Sequence, residues 1–419
     1  MKRKTITFLT LIIISLTVFA QNRFPKPDFD SGYVYPEHQH FVPNEALWSY
    51  IDIAMLVILM SFVAWATIKR QVRIPVIITS IVSVLYFGFF RYGCVCSIGS
   101  VQNVALSLVS DSYSIPLHAL LMFILPIIFA LFFGRVFCAG VCPFGALQDL
   151  VNVKNYKLSK AVTSVLKVFP WIYLGFAVLF AVTNSRFIIC RFDPFVGIFR
   201  LGGEVPLIIF GVILLIFSIF TGRPFCRFIC PYGAILSLFS KISFWQVKIT
   251  KKECINCQLC HNACPVDAIR PPYENKVKES RSAGVNRILR YMVFLPLMMI
   301  AGAVLMYMLS DKFSTVNKNV QLYDMVIQNE QQPQERQSFE LQTFYAQERT
   351  IEELAEQVAE TKKEFSIYST IIGAFFGLVI ALTLINLSVK RTRKQYEIDS
   401  ADCVNCGRCF SYCPQKPIK

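Results

Sequence analysis

Cys254-Ile255-Asn256-Cys257-Gln258-Leu259-Cys260-His261-Asn262-Ala263-Cys264-Pro265 returns near the C-terminus as Cys403-Val404-Asn405-Cys406-Gly407-Arg408-Cys409-Phe410-Ser411-Tyr412-Cys413-Pro414. Each run holds three cysteines at two-residue gaps, then a fourth after three residues, then proline. Cubane iron–sulfur clusters take four thiolates, three from such a loop and the fourth from the other run. Cys254, Cys257, Cys260 and Cys413 are therefore expected on one [4Fe–4S] cluster, and Cys403, Cys406, Cys409 and Cys264 on a second. The alternative is a zinc ribbon built from CxxC pairs. It leaves the third and fourth cysteines and their proline unexplained. His261, beside Cys260, reads as a surface residue of the loop.

Between Cys264 and Cys403 lie 138 residues, with apolar stretches near 288–309 and 366–388. A hairpin that crosses a membrane and returns leaves both runs on one side, so the halves can reassemble as a split bacterial-type ferredoxin. Five more apolar stretches precede the first run, near 48–68, 74–91, 115–134, 168–185 and 205–221. Composition agrees with seven spans. Of 419 residues, 54% are hydrophobic and only 16% charged, against roughly 25% charged in soluble chains. That excludes a disordered or nucleic-acid-binding chain. The net charge of +15 fits Lys- and Arg-rich cytoplasmic loops instead. With residue 47 outside, the basic segments 69–73, 135–167, 223–290 and 390–394 all fall inside. The loop 311–365 falls outside, with 11 acidic and 6 basic residues, a net of −5. In it, 321–337 reads as irregular. From Phe339 the chain reads as helix, with Phe344, Ile351, Leu354 and Val358 at coiled-coil-like spacing. That helix either docks an extracytoplasmic partner or extends span seven into solvent.

Met1-Lys2-Arg3-Lys4, the apolar run Thr5–Phe19 and Ala20 resemble a signal peptide. Val18, where alanine is preferred, leaves uncleaved anchoring open. The expected fold is an all-α polytopic membrane protein of about seven transmembrane helices plus a signal peptide. It carries a cytoplasmic split bacterial-type 2[4Fe–4S] ferredoxin module of small α+β type. The layout is a signal peptide (1–20), an extracytoplasmic lead-in (21–47) and a membrane bundle (48–245). A first ferredoxin half (246–285), a transmembrane hairpin (286–389) and a second ferredoxin half (390–419) follow. The expected location is the bacterial inner membrane.

The bundle contains an internal repeat. Gly134-Arg135-Val136-Phe137-Cys138-Ala139-Gly140-Val141-Cys142-Pro143-Phe144-Gly145-Ala146 matches Gly222-Arg223-Pro224-Phe225-Cys226-Arg227-Phe228-Ile229-Cys230-Pro231-Tyr232-Gly233-Ala234 at eight of 13 positions, 88 residues on. Both copies have the same orientation, as parallel repeats about an axis along the membrane normal would. If CxxxC is helical, i and i+4 place both thiols on one face. Cys138, Cys142, Cys226 and Cys230 then supply four thiolates to a third Fe–S cluster shared between the repeats. Arg135, Arg223 and Arg227 would balance its charge. Two separate clusters or inert buried thiols are the alternatives.

Cys94, Cys96 and Cys190 fall at outer turns. They suit an outer Fe–S site, with His118 or a partner completing it, or a disulfide. His38 and His40 resemble a weak metal site, against a solvated lead-in. No span interior is read as charged, so the ion path of a transporter is lacking.

The pair Phe137-Cys138-x-x-x-Cys142-Pro143-Phe144-Gly145-Ala146 and Phe225-Cys226-x-x-x-Cys230-Pro231-Tyr232-Gly233-Ala234, followed by a ferredoxin run, resembles the NosR/NapH family of membrane polyferredoxins. The likeness covers roughly 48–270, and the tail adds the second cysteine run. Cys190-x-x-Asp193-Pro194-Phe195 resembles a further family motif. The resemblance implies electron transfer between a quinol or cytoplasmic donor and an extracytoplasmic acceptor. The chain would then be a redox subunit of a quinol dehydrogenase or another oxidoreductase complex. Full-length NosR-type proteins carry a flavin-binding domain before the spans. Here only 21–47 occupy that place, so flavin is expected only on a partner. Two classes of function remain: a redox conduit, or a maturation factor that reduces an extracytoplasmic metal centre or disulfide.

Overall fold

The computed structural model describes residues 46–93, 97–110, 113–200, 202, 204–249, 254–273, 281–331, 339–347, 350–389 and 392–415. The expected signal peptide, nearly all of the lead-in with His38 and His40, and Cys94 and Cys96 lie outside them.

Apolar stretches become helices because each backbone N–H and C=O is then satisfied within its own segment. α1 (Ala46–Ala64) runs on at wider, π-helical spacing to Arg70, and Gln71 at φ 53° turns the chain. α2 (Ile74–Ser83) likewise continues through Val84–Phe90. Next come α3 (Ser100–Ser107), α4 (Leu117–Phe133), α5 (Pro143–Val151), α6 (Lys160–Leu166) and α7 (Phe169–Val182). Short α8 (Ile188–Arg191) and α9 (Pro194–Arg200) lead into α10 (Val205–Phe220), α11 (Pro224–Phe228) and α12 (Pro231–Ser240). Prolines sit in the first turn of α2, α5, α7, α10, α11 and α12, where a missing N–H costs nothing.

Among the described residues, four segments are long and apolar enough to cross a membrane: Leu47–Arg70, Lys160–Val182, Ser282–Met308 and Ile351–Ser388. α9 and α10 would make a fifth if taken as one bent span. Ile74–Phe90 and Leu117–Phe133 are shorter apolar helices. These helices fall at apolar stretches read from the sequence, and four of them are long enough to span. One expectation fails. Asp52, in the second turn of α1, is 3% exposed. It accepts from Arg91 Nη2 at 2.7 Å and from Tyr86 Oη at 3.0 Å, the pairing that a buried carboxylate requires.

The remaining elements are α13 (Leu259–Ala263), β1 (Ile269–Arg270), α14 (Arg281–Met308), α15 (Ser310–Ser314), α16 (Lys318–Gln331), α17 (Phe339–Ala346), α18 (Ile351–Ser388), β2 (Glu397–Ile398) and α19 (Arg408–Tyr412). α14 and α18 form the inserted hairpin. They meet where a Cβ on Gly302 or Gly377 would overlap the opposite backbone, the small-residue contact of membrane helices. The hairpin returns the chain so that β1 and β2 pair antiparallel, Ile269 with Ile398 and Arg270 with Glu397. This joins the two cysteine runs into one small α+β module.

The segment between the hairpin helices differs from expectation. Residues 318–331 form α16 rather than an irregular stretch. The helix from Phe339 is interrupted after Ala346, and α18 begins at Ile351. Phe344, Leu354 and Val358 are buried with Val320, Val326 and Leu341 in a local core. That face is therefore filled from within and does not present a docking stripe. The 38-residue α18 extends the last span beyond the apolar segment instead. Asn317 donates to Ser185 Oγ at 3.0 Å at the C-terminal end of α7. Lys167, at the other end, pairs with Asp402 of the second ferredoxin half. The helical segment and the ferredoxin module thus sit at opposite ends of α7.

Candidate iron–sulfur sites

Four cysteines precede proline, and all four share one backbone conformation. Cys142, Cys230, Cys264 and Cys413 have φ −70°, −62°, −70° and −77° with ψ 118°, 112°, 115° and 121°. Proline disfavours the α region at the residue before it. This corrects the expectation that CxxxC is one helical face. Cys138 lies in a π-helical turn and Cys226 in α11, whereas Cys142 and Cys230 are the extended caps of α5 and α12. The thiols converge because the chain turns between them.

All four repeat cysteines are buried. Every pair among Cys138, Cys142, Cys226 and Cys230 is within electrostatic range. Each sulfur also meets an N–H donor. Arg135 Nη2 is 3.8 Å from Cys138 Sγ, Gln148 Nε2 is 3.6 Å from Cys226 Sγ, and the Gly233 amide is 3.2 Å from Cys230 Sγ. The Gly145 amide serves Cys142. Such bonds tune cluster potentials. Gln148, whose Oε1 also accepts from the Phe225 amide at 3.1 Å, was not legible in the sequence.

The two ferredoxin runs cross-pair in space. Cys260 neighbours Cys254, Cys257 and Cys413. Cys409 neighbours Cys403, Cys406 and Cys264, with Cys260 next beyond. The first set is the more open, with Cys257 and Cys413 exposed, while in the second Cys264 is buried. Burial pushes the Cys264 thiol up to about 11 and the Cys403 thiol up to about 12, so a bound metal must displace their protons. His261 Nδ1 bonds Ile269 O at 2.8 Å, a structural role.

Between the second ferredoxin set and the repeat cysteines lies a band of buried charge. Arg135 is electrostatically close to Cys138, Cys226 and Cys230 on one side and to Cys403 on the other. Arg223, fully buried, faces Cys226 and Cys138 and also Cys406. Asp149 meets Arg223 at 3.5 Å, Arg408 at 3.2 Å and Arg73 at 3.6 Å. Three cations around one carboxylate leave an excess of positive charge. Among the described residues, Arg135 Nε, Arg223 Nε and both Nε and Nη1 of Arg227 are buried without a hydrogen-bond partner. The orphaned Nε donors of Arg135 and Arg223, close to the repeat thiols, fit an anionic cluster whose sulfurs accept, whereas Arg227 pairs with Asp267 at 2.7 Å rather than with a thiol.

Of the expected outer site, Cys190 is exposed on α8. Tyr173 lies within electrostatic range of both Cys230 and Cys190. A cavity of about 220 Å³ beside it is lined by Ile189, Asp193, Phe225, Ile229 and Pro231. Gln102 ties this turn to the rest, accepting from the Ile189 amide at 2.8 Å and donating to Ala177 O at 3.1 Å. His118 is exposed at the start of α4.

Comparison with known proteins bears on these sites. Residues 115–161 and 204–252 each match a family model described as a 4Fe-4S binding domain, and 247–270 and 396–419 match a second model so described. The first pair holds the CxxxC motifs and the second the ferredoxin runs. The chain is similar to the regulatory protein NosR of Stutzerimonas stutzeri, at 32% identity over 208 residues, 45% of this chain and 28% of that protein. It resembles the protein NirI of Paracoccus denitrificans, at 32% over 154 residues, 34% and 23% of the two chains. The ferredoxin-type protein NapH of Haemophilus influenzae matches at 27% over 169 residues, 38% and 57%. The matches thus span less than two thirds of each of these relatives. No solved structure matches.

Fold and cysteine sets together define a membrane iron–sulfur electron-transfer protein. Its relatives point the same way: the chain is similar to NosR/NapH-type membrane ferredoxin proteins.

Proposed function

We propose that the chain conducts electrons across the bacterial inner membrane, between a cytoplasmic or quinol donor and an extracytoplasmic acceptor, flavin-bearing where that acceptor is a flavoprotein. One observation carries this reading. Three cysteine sets stand in series from the exposed ferredoxin run to the buried repeat motifs, and Tyr173 continues the line toward Cys190. A hydrocarbon core of about 30 Å is too thick for one electron jump, so a series of sites is the arrangement it demands.

Cys254, Cys257, Cys260 and Cys413 would hold one [4Fe–4S] cluster. Cys403, Cys406, Cys409 and Cys264 would hold the second, and Cys138, Cys142, Cys226 and Cys230 a third. When bound, such clusters supply one-electron redox chemistry. The chain's own part is to orient the thiolates, exclude water from the inner sets and supply N–H donors to the sulfurs. The Lys- and Arg-rich ends favour a cytoplasmic ferredoxin module, with segment 311–365 outside. Cys94, Cys96 and Cys190 are the candidates for an outer site.

The test uses the full chain in liposomes, with a low-potential reductant outside and a dye trapped within. Cys138→Ser or Cys226→Ser should abolish dye reduction while the ferredoxin signals persist. Undiminished transfer would overturn the conduit and favour a maturation factor.

A further inference from the structure

The two repeats keep Gly-Arg as well as their cysteines, and the structure gives both residues a use. A Cβ on Gly222 would overlap the Pro265 backbone, and one on Gly134 would lie 3.1 Å from Asn405 Nδ2. Pro265 follows Cys264, and Asn405 lies between Cys403 and Cys406. Both glycines therefore give room to the same ferredoxin set, one from each repeat. The arginine after each glycine then enters the space between that set and the repeat cysteines, as the neighbours of Arg135 and Arg223 show. The arrangement is crossed. Arg135 Nη2 lies 3.2 Å from the would-be Cβ of Gly233, and Arg223 Nη1 lies 3.7 Å from that of Gly145. Each repeat's arginine reaches the helix start of the other. Arg223 also donates to Cys138 O and to Ala139 O, the latter at 2.7 Å. Asp149, 3.5 Å from Arg223, is the opposing charge.

We propose that the repeated Gly-Arg dipeptide is a charge bridge that sets the reduction potential of the repeat-cysteine site relative to the second ferredoxin site. Arg135 and Arg223 raise that potential and Asp149 lowers it. This rests on the reading that Cys138, Cys142, Cys226 and Cys230 hold a cluster. One-electron reduction adds one negative charge to such a centre, the electron coming from the titrant. A buried cation favours the reduced form, and a buried carboxylate opposes it. Low dielectric makes both effects large, and the fixed guanidiniums need no reorganisation as the charge changes.

The experiment is an anaerobic redox titration of the purified full-length protein, with dithionite as reductant, followed by electron paramagnetic resonance. Iron is counted in every sample. Arg135→Gln and Arg223→Gln should each make reduction of the repeat-cysteine centre roughly tenfold less favourable, a fall of ~59 mV for one electron. Arg135→Lys and Arg223→Lys should stay near wild type, and Asp149→Asn should shift the potential upward. Opposite signs for the Arg and Asp variants are the signature, since loosened packing would not reverse direction. If a Gln variant fails to assemble the centre, Asp149→Asn decides, and a downward or absent shift there overturns the proposal. About twelve irons in the wild type with all potentials unmoved would overturn this inference alone. About eight irons, two cubanes' worth, would instead remove the cluster reading beneath it, and the proposal with it.

Discussion

The two ferredoxin halves start from the same run and end in different surroundings. Asn256 and Asn405 both adopt positive φ, 54° and 51°, as do Gln258 and Gly407, at 66° and 73°. In each, the first cysteine approaches the asparagine Oδ1, at 3.6 Å for Cys254 and 3.4 Å for Cys403. Beyond that the halves part. Ile255 and Leu259 are 59% and 45% exposed, while Val404 and Arg408, 149 residues on, are 3% and 6% exposed. The second half is fastened to the bundle. Asn405 Nδ2 donates to Phe133 O at 2.7 Å, Arg135 Nη1 to Ala401 O at 3.2 Å and Ser240 Oγ to Ser400 O at 2.9 Å. Motif chemistry shapes the loop, and docking decides which set faces the membrane bundle and which faces solvent.

The strongest challenge to that comparison exchanges the fourth ligands. Cys413→Ala should remove the centre at Cys254, Cys257 and Cys260 and spare the one at Cys403, Cys406 and Cys409. Cys264→Ala should do the reverse and also stop transfer to the repeat site. Paramagnetic resonance with iron counting reads both. Loss of the mutated run's own centre would mean that each run is self-contained and the halves do not share ligands.

A smaller effect measures the docking itself. Arg408 bonds Asn152 Oδ1 and, at 3.2 Å, both Asp149 O and Asn152 O. Arg408→Gln should destabilise the protein by about 1.5–3 kcal/mol, the range for hydrogen bonds to charged groups. Leu259→Gln, at the matching position, should stay within about 0.5 kcal/mol. Denaturant titration that gave equal losses would erase the difference between the halves.

The finest comparison is Asn405→Ala against Asn256→Ala. Both remove a residue suited to positive φ and the contact to a cysteine. Only Asn405 also donates to Phe133 O. The gap between the two should be about 1 kcal/mol, one net hydrogen bond. A gap of zero would mean that this bond contributes nothing to holding the second half in place.

Much of the fold was legible because its signals are local. Cysteine spacing gave the loops, and uninterrupted apolar runs gave the positions of the apolar helices. Where the reading failed, packing had overruled composition. Residues 321–337 look too polar for order, yet 318–331 are helical and Val320 and Val326 are buried against α17 and α18, and burial rather than propensity stabilises such helices. The CxxxC pairs looked helical by spacing, but the prolines after Cys142 and Cys230 hold those cysteines extended. Asp52 was passed over because nothing near it in sequence announces Arg91 as its partner.

The sequence by itself determined that two cysteine runs and two repeated motifs would carry the chemistry, that an apolar hairpin separates the runs, and that arginines accompany the repeat cysteines. Those facts follow from covalent spacing, hydropathy and the backbone restriction that proline imposes. Only the tertiary structure decided that the second ferredoxin set is the one pressed onto the bundle. It also brought Gln148 to a sulfur and gathered Arg73, Arg223 and Arg408 around Asp149. The contact between Arg408 and Asp149 alone joins residues 259 positions apart. The energies of such contacts depend on burial and on charge in a low-dielectric interior, and no local pattern encodes either.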